Sequence, residues 1–182
     1  MYAAAGNYTV TLITHSSSLG CPDTMTASIT IFPMPVADFS FADVCLNKTM
    51  TFTDLSTIPS GTIATYSWNF GDATPLGNSQ SPTHTYLMAG TFNVKLIITS
   101  NSGCKDTVIK SVVVHPLPVI LFPLSNVCDG TTVPLNDAST IPASDVLQFW
   151  AWNFGDGSAL NTNQNTTHLY ACLLYTSDAA DE

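Results

Sequence analysis

Along several short stretches of this chain, apolar residues occupy every second position. In "TFNVKLIIT" (91–99), Phe92, Val94, Leu96 and Ile98 fall on one face, while Thr91, Asn93, Lys95 and Thr99 fall on the other. Tyr66, Trp68 and Phe70 alternate in the same way with Thr65, Ser67 and Asn69, and Tyr8, Val10 and Leu12 repeat the alternation near the start. A period of two is the signature of strands buried on one face. Further strands are predicted at 36–41, 49–54 and 107–114, and no helical periodicity competes with them. Short alternating strands punctuated by Gly, Pro and Asn predict an all-β chain folded as a β-sandwich.

The pattern also repeats at long range. "WNFGD" stands at 68–72 and again at 152–156, and "HTY" (84–86) is matched by "HLY" (168–170). "YLMAGTFNVKLIIT" (86–99) resembles "YAAAGNYTVTLIT" (2–14), and "GCKDT" (103–107) resembles "GCPDT" (20–24). "VCLNKTMTFTDLSTIP" (44–59) is matched by "VCDGTTVPLNDASTIP" (127–142). These offsets of 83 to 84 positions imply one complete unit at 34–118. Residues 1–33 then hold only the last part of a repeat, and 119–171 only the first part of another.

Composition narrows the functional classes. Only 9% of the 182 residues are charged, so the polar surface must come from Thr, Ser and Asn. The formal net charge is −9 with four Lys and Arg in total, too few for a basic patch. Nucleic acid and anionic membrane surfaces are therefore excluded as expected partners. The longest apolar run, "VILFPL" (119–124), is too short to cross a bilayer. The N-terminus shows no basic region followed by an apolar one, so no signal peptide is expected within this stretch, and the repeat pattern implies a fragment.

The ordered motifs resemble the PKD (polycystic kidney disease) domain, an immunoglobulin-like sandwich. The family pattern is similar to W-D-F-G-D-G, then P-x-H-x-Y, then A-G-x-Y-x-V-x-L. Here "WNFGDA" and "WNFGDG" are followed by "PTHTY" and "TTHLY", and "AGTFNVKL" closes the middle unit. Asn69 and Asn153 replace the usual first aspartate, and Ala73 replaces a glycine. The resemblance implies tandem immunoglobulin-like (PKD-type) repeats of a large bacterial surface or secreted protein. The last eleven residues, "CLLYTSDAADE" (172–182), do not continue the pattern and read as translated sequencing adapter.

Each repeated residue has a structural reading beside a functional one. Trp68 and Trp152 are expected in the core. Gly71 and Gly155 follow a strand and suit a positive φ, while Asp72 and Asp156 suit a turn whose backbone N–H groups they accept. Because some PKD-like domains bind calcium, Asp72 and Asp156 are also calcium candidates. Ca²⁺ nevertheless needs roughly 6–8 oxygens, and no second acidic cluster adjoins the motif. His84 and His168 are expected to bond the turn backbone, and Tyr86 and Tyr170, ahead of the strand after Gly90, to tie down a loop. No nucleophile–His–acid arrangement or zinc-ligand spacing recurs, so no catalytic residue and no cofactor is expected.

Cys45 and Cys104 fall within one unit, with Cys128 and Cys21 as their counterparts in the neighbours. A Cys45–Cys104 disulfide is the first expectation, placing the protein in an oxidising compartment and contributing roughly 4 kcal/mol. Two buried free thiols are the alternative. A further expectation is that 1–33 and 119–171 complete each other, with Cys21 near Cys128.

The sequence thus points to a non-catalytic extracellular spacer or adhesive segment whose partners are neighbouring repeats. The rival is a substrate-binding accessory of a secreted hydrolase, contacting polysaccharide or protein. Its local support is "QFWAWNF" (148–154), where Phe149 alternates against Trp150 and Trp152 and is expected to be exposed.

Overall fold

In a computed structural model the chain forms two compact units, 1–115 and 116–182. The structure describes residues 4–17, 20–128, 130–142 and 145–170. The adapter-like tail at 172–182 and Cys172 lie outside the described residues.

The first unit begins with a hairpin of β1 (Gly6–His15) and β2 (Pro22–Ile31), in register from Gly6–Ile31 to His15–Pro22. The middle repeat follows with β3 (Phe39–Ser40), β4 (Val44–Cys45), β5 (Thr49–Thr51), β6 (Thr53–Asp54), β7 (Ile63–Asn69), β8 (Thr83–Thr85), β9 (Gly90–Ser100) and β10 (Lys105–His115). One sheet has the order β4-β10-β9-β7. Against it lie the shorter pairs β3–β6 and β5–β8. The second unit carries β11 (Val133–Leu135) paired with β12 (Thr166–His168).

The period-two reading explains the middle core. On β9, Val94, Leu96 and Ile98 are fully buried, as are Trp68 on β7 and Phe39, Met50 and Phe52 opposite. Leu96 sits directly across from Trp68 in the β7–β9 register. Phe39 meets Trp68 edge-on with ring centroids 5.1 Å apart. Aromatic pairs at such distances add to the simple gain from burying their area.

The expected strand at 49–54 is divided into β5 and β6. At the break, the Phe52 N–H turns to the carbonyl of Pro82, and its ring enters the core. The expected strand at 36–41 is likewise short, with Val36 bridged to Thr57 before β3 begins.

The expected Cys45–Cys104 disulfide is not formed, and both cysteines are free. The reason is the sheet order. Cys45 pairs with His115 at the last residue of β10, whereas Cys104 directly precedes the first residue of that strand. Ten steps along a strand put the two ends roughly 33 Å apart, against the ~7 Å Cα separation a disulfide tolerates. The alternative of two buried thiols fails as well, because Cys45 is exposed and Cys104 only half-buried. Cys21 and Cys128 are also free and exposed.

Candidate functional site

The duplicated "WNFGD…H-x-Y" motif closes into the same polar buckle in each unit. Asn69 at the end of β7 turns its Oδ1 back to accept from Gly71 N–H at 2.9 Å. Gly71 then adopts φ 84°, in the left-handed region that disfavours a side chain. Space forbids one too, since a Cβ here would lie 2.8 Å from the Asn93 carbonyl oxygen.

The turn delivers Asp72 to three donors. Its Oδ1 accepts from Thr74 N–H at 3.2 Å and from the Thr74 hydroxyl at 2.6 Å. Its Oδ2 accepts from His84 Nε2 at 2.7 Å. A carboxylate can only accept, so the ring proton sits on Nε2. Burial pushes the Asp72 carboxyl up, but hydrogen bonds from Thr74 and His84 outweigh it and hold the group below the usual carboxylate range. His84 is stacked on Phe70, with centroids 4.1 Å apart and planes 1° from parallel, and meets Tyr86 edge-on. Buried Tyr86 donates its hydroxyl to the Phe70 carbonyl at 3.0 Å. Burial first, and the Asp72 charge second, push its pKa well up, so it remains a donor at any ordinary pH.

Trp68 completes the buckle. Its indole Nε1 donates to the Ser79 carbonyl at 2.9 Å, and its backbone exchanges two hydrogen bonds with Gly77. The loop 70–82 is thereby folded back over the end of β7.

The second copy reproduces these contacts. Asn153 accepts from Gly155 N–H at 3.0 Å, and Gly155 has φ 82°. Asp156 binds the Ser158 N–H and hydroxyl on one oxygen and His168 Nε2, at 2.7 Å, on the other. Those bonds, from Ser158 first and His168 next, hold its carboxyl far below the usual range. His168 stacks on Phe154 at 3.9 Å, Tyr170 donates to the Phe154 carbonyl at 3.1 Å, and Trp152 Nε1 donates to the Asn163 carbonyl at 2.9 Å. Trp150 adds a bond of its own, Nε1 to Asp137 Oδ2 at 2.9 Å. Ser139 chiefly, with Trp150 and Gln164, holds Asp137 down at about 2.

Of the residues singled out in the sequence, the structure gathers Trp68, Gly71, Asp72, His84 and Tyr86 into one buckle and Trp152, Gly155, Asp156, His168 and Tyr170 into the other. Gly90 stands apart, opening β9. The histidines bond the aspartate side chains rather than the turn backbone, a correction to the expectation for His84 and His168. At each proposed calcium candidate, both carboxylate oxygens already accept from donors of their own unit. Among the described residues, no three His, Cys, Asp or Glu side chains gather as a metal site.

Sequence reasoning missed three interactions. The Lys110 ammonium contacts Asp38 Oδ1 at 2.7 Å and the Phe39 carbonyl at 2.6 Å. Asp106 accepts from Ala37 N–H at 2.8 Å, and Asp43 from Val113 N–H at 3.0 Å. None carried a local signal, because the partners are separated by about 70 residues.

A protein-family model described as the PKD domain matches residues 33–115 and 113–172. Among solved structures, the PKD1 domain of Vibrio anguillarum Epp is 25% identical, covers 46% of this chain and 96% of its own, and has a TM-score of 0.43. The PKD1 domain from the Vibrio cholerae metalloprotease PrtV is 30% identical, with 44% and 96% covered and a TM-score of 0.42. A structure described under carbohydrate-binding modules of the β-sandwich superfamily is 22% identical, with 56% and 58% covered and a TM-score of 0.45. With its family model matched twice over most of its length and no helix among the described residues, this chain belongs to the PKD domain family.

Proposed function

We propose that the chain is a non-catalytic extracellular spacer segment of a larger bacterial surface protein, whose immediate partners are neighbouring repeats. The observation that carries this reading is where the middle unit takes in and releases the chain. Ala37 N–H is held by Asp106, one residue into β10, while the chain leaves at His115, where β10 ends. Entry and exit therefore lie at opposite ends of an eleven-residue strand, roughly 30 Å apart. A unit threaded end to end adds length, which suits holding a binding region away from a cell.

The buckle agrees with a structural role. In each copy the aspartate oxygens, the histidine Nε2 and the tyrosine hydroxyl are turned to partners inside their own unit. In small-angle scattering, each extra tandem copy of residues 34–118 should raise the maximum dimension by up to about 30 Å. A dimension that grows only as for a compact globule would sink the spacer reading.

One observation favours a second reading, a glycan-binding accessory. Phe149 is 76% exposed. Its counterpart Thr65 is also exposed in the complete unit. A planar exposed ring can stack on a sugar face. Glycan-array binding that disappears in Phe149→Ala would move the assignment to this reading. A blank array leaves the spacer.

A further inference from the structure

The complete repeat carries its two cysteines at opposite ends. Cys45 pairs with His115, where the chain leaves the unit, and beside it the Leu46 N–H donates to the His115 carbonyl at 2.8 Å. Cys104 lies in the β9–β10 turn at the other end, just ahead of Asp106, whose carboxylate holds the entering Ala37 N–H.

Both cysteines are fixed by their own turns. The Cys104 carbonyl accepts from Ser100 N–H at 2.8 Å, and its N–H donates to the Ser100 hydroxyl at 3.1 Å. The Cys45 carbonyl accepts from Lys48 N–H at 3.0 Å. The neighbouring units hold their cysteines in the same way. Cys21 exchanges the corresponding two bonds with Ser16, and Cys128 accepts from Thr131 N–H at 3.1 Å.

A second, independent observation concerns the junctions between repeats. From His115 the chain passes through Pro116, Leu117, Pro118 and Val119 to Ile120, the counterpart of Ala37. The junction ahead of the middle repeat, Pro33, Met34, Pro35 and Val36, has the same length and its prolines at the same places. Prolines keep such a spacer extended at ~3.1 Å per residue, so the exit of one repeat lies roughly 15 Å from the entry of the next. The β9–β10 turn projects back along that gap, because Cys104 precedes Asp106 on a strand running from entry to exit. Two strand residues cover about 7 Å. Some 8 Å of axial gap then remains, roughly, and a slight bend of the spacer closes it to the ~7 Å Cα separation of a disulfide. Inside one repeat the two cysteines stay roughly 33 Å apart.

We propose that, wherever two complete repeats follow one another, Cys45 of the first forms a disulfide with the residue corresponding to Cys104 in the second. The bond staples each junction and leaves none inside a repeat. Neither partner of the middle repeat is among Cys21 and Cys128, since Cys21 corresponds to Cys104 and Cys128 to Cys45, each in a unit on the wrong side. The oxidant is a disulfide of a small thiol such as glutathione. One cysteine thiolate attacks it, releasing one thiol and leaving a mixed disulfide, and the second thiolate displaces the other thiol. The cysteines lose two protons, and two electrons pass to the oxidant, which departs as two thiols. The proposal rests on the end-to-end threading of the spacer reading.

The test is the full chain with residues 34–118 duplicated in place, beside the parent chain, both carrying Cys172→Ser. Each is equilibrated at low concentration with reduced and oxidised glutathione, and thiols are then counted in denaturant. The duplicated chain is expected to lose two thiols, and the parent to keep Cys21, Cys45, Cys104 and Cys128 free. Cys45→Ser in the first copy, or Cys104→Ser in the second, abolishes the bond. Cys104→Ser in the first copy, or Cys45→Ser in the second, leaves it intact. Far-ultraviolet circular dichroism and Trp68 emission check that each variant keeps its fold. A duplicated chain with every thiol free overturns the proposal, as does a bond that survives the first two variants or a parent chain that loses thiols. Small-angle scattering of the same duplicated chain separates this failure from that of the spacer reading. An elongated chain with free thiols overturns the cross-link alone, and a compact one overturns both.

Discussion

Trp68 and Trp152 make the same hydrogen bonds and live in different surroundings. The indole-to-carbonyl distance is 2.9 Å in both, and the His–Asp distance in their buckles is 2.7 Å in both. Burial divides them, since Trp68 is fully buried and Trp152 only partly so. Residues 63–69 form a strand against β9, whereas their counterparts around Trp152 show only one bridge, to Asn161. The buckle is thus written locally, within about twenty residues, and needs no finished sandwich. The strand and the dry core are supplied from elsewhere in the chain by the β9–β10 hairpin.

The widest split between the two copies is expected at the tryptophans themselves. Trp68→Ala should cost the middle unit about 3–5 kcal/mol in chemical denaturation. Trp152→Ala should cost less than about half of that, because less apolar area leaves water there. Equal losses would mean that the second core is closed in solution.

The glycines come next. Gly71→Ala meets both a left-handed φ and the Asn93 backbone, for a loss of about 2–4 kcal/mol. Gly155→Ala faces only the dihedral, with open space around its Cβ position, and should lose about 1–2 kcal/mol. Thermal unfolding of the two variants tests whether β9 is what tightens the turn.

Asp72→Ala removes the acceptor for His84 and Thr74 and should cost about 1–3 kcal/mol. Acid should act in the same direction. The folded Asp72 carboxyl lies below its ordinary value, so its stabilisation is fully present above about pH 4. It fades as pH falls through the lowered folded value. Asp156 is shifted in the same direction, so both buckles should loosen on acid titration followed by His ring resonances. In the Asp72→Ala chain, only the second should respond.

The smallest effect is a gain. Ala73 sits at φ 64°, where the second copy has Gly157 at φ 82°. Ala73→Gly should stabilise the middle unit by about 1 kcal/mol, read as a raised midpoint. No gain would show that the turn relaxes around the alanine without strain.

What could be read in advance followed what is periodic. The alternation in 91–99 named the buried face of β9 correctly, because side chains on a strand alternate between core and water. The constant offset of "WNFGD" and "H-x-Y" marked a repeated unit. The cysteines misled because distance along the chain says nothing about which end of a strand a residue reaches. Cys45 arrives at one end of β10 through a parallel pairing, and Cys104 stands at the turn beyond the other. The His84 partner was missed because a twelve-residue loop returns to Asp72 with no periodic signal.

The parallel contact of β4 with β10 has a mechanical consequence. Val44 and Cys45 lie beside Val114 and His115, with Leu46 N–H donating to the His115 carbonyl and Val113 N–H held by Asp43. Tension applied through Ala37 and His115 runs along β10, while these hydrogen bonds cross it. They are loaded in shear and must fail together rather than open one after another like a zipper. The clasp stands at the residue where pull from the following chain first enters the fold, and it resists most when pulled lengthwise.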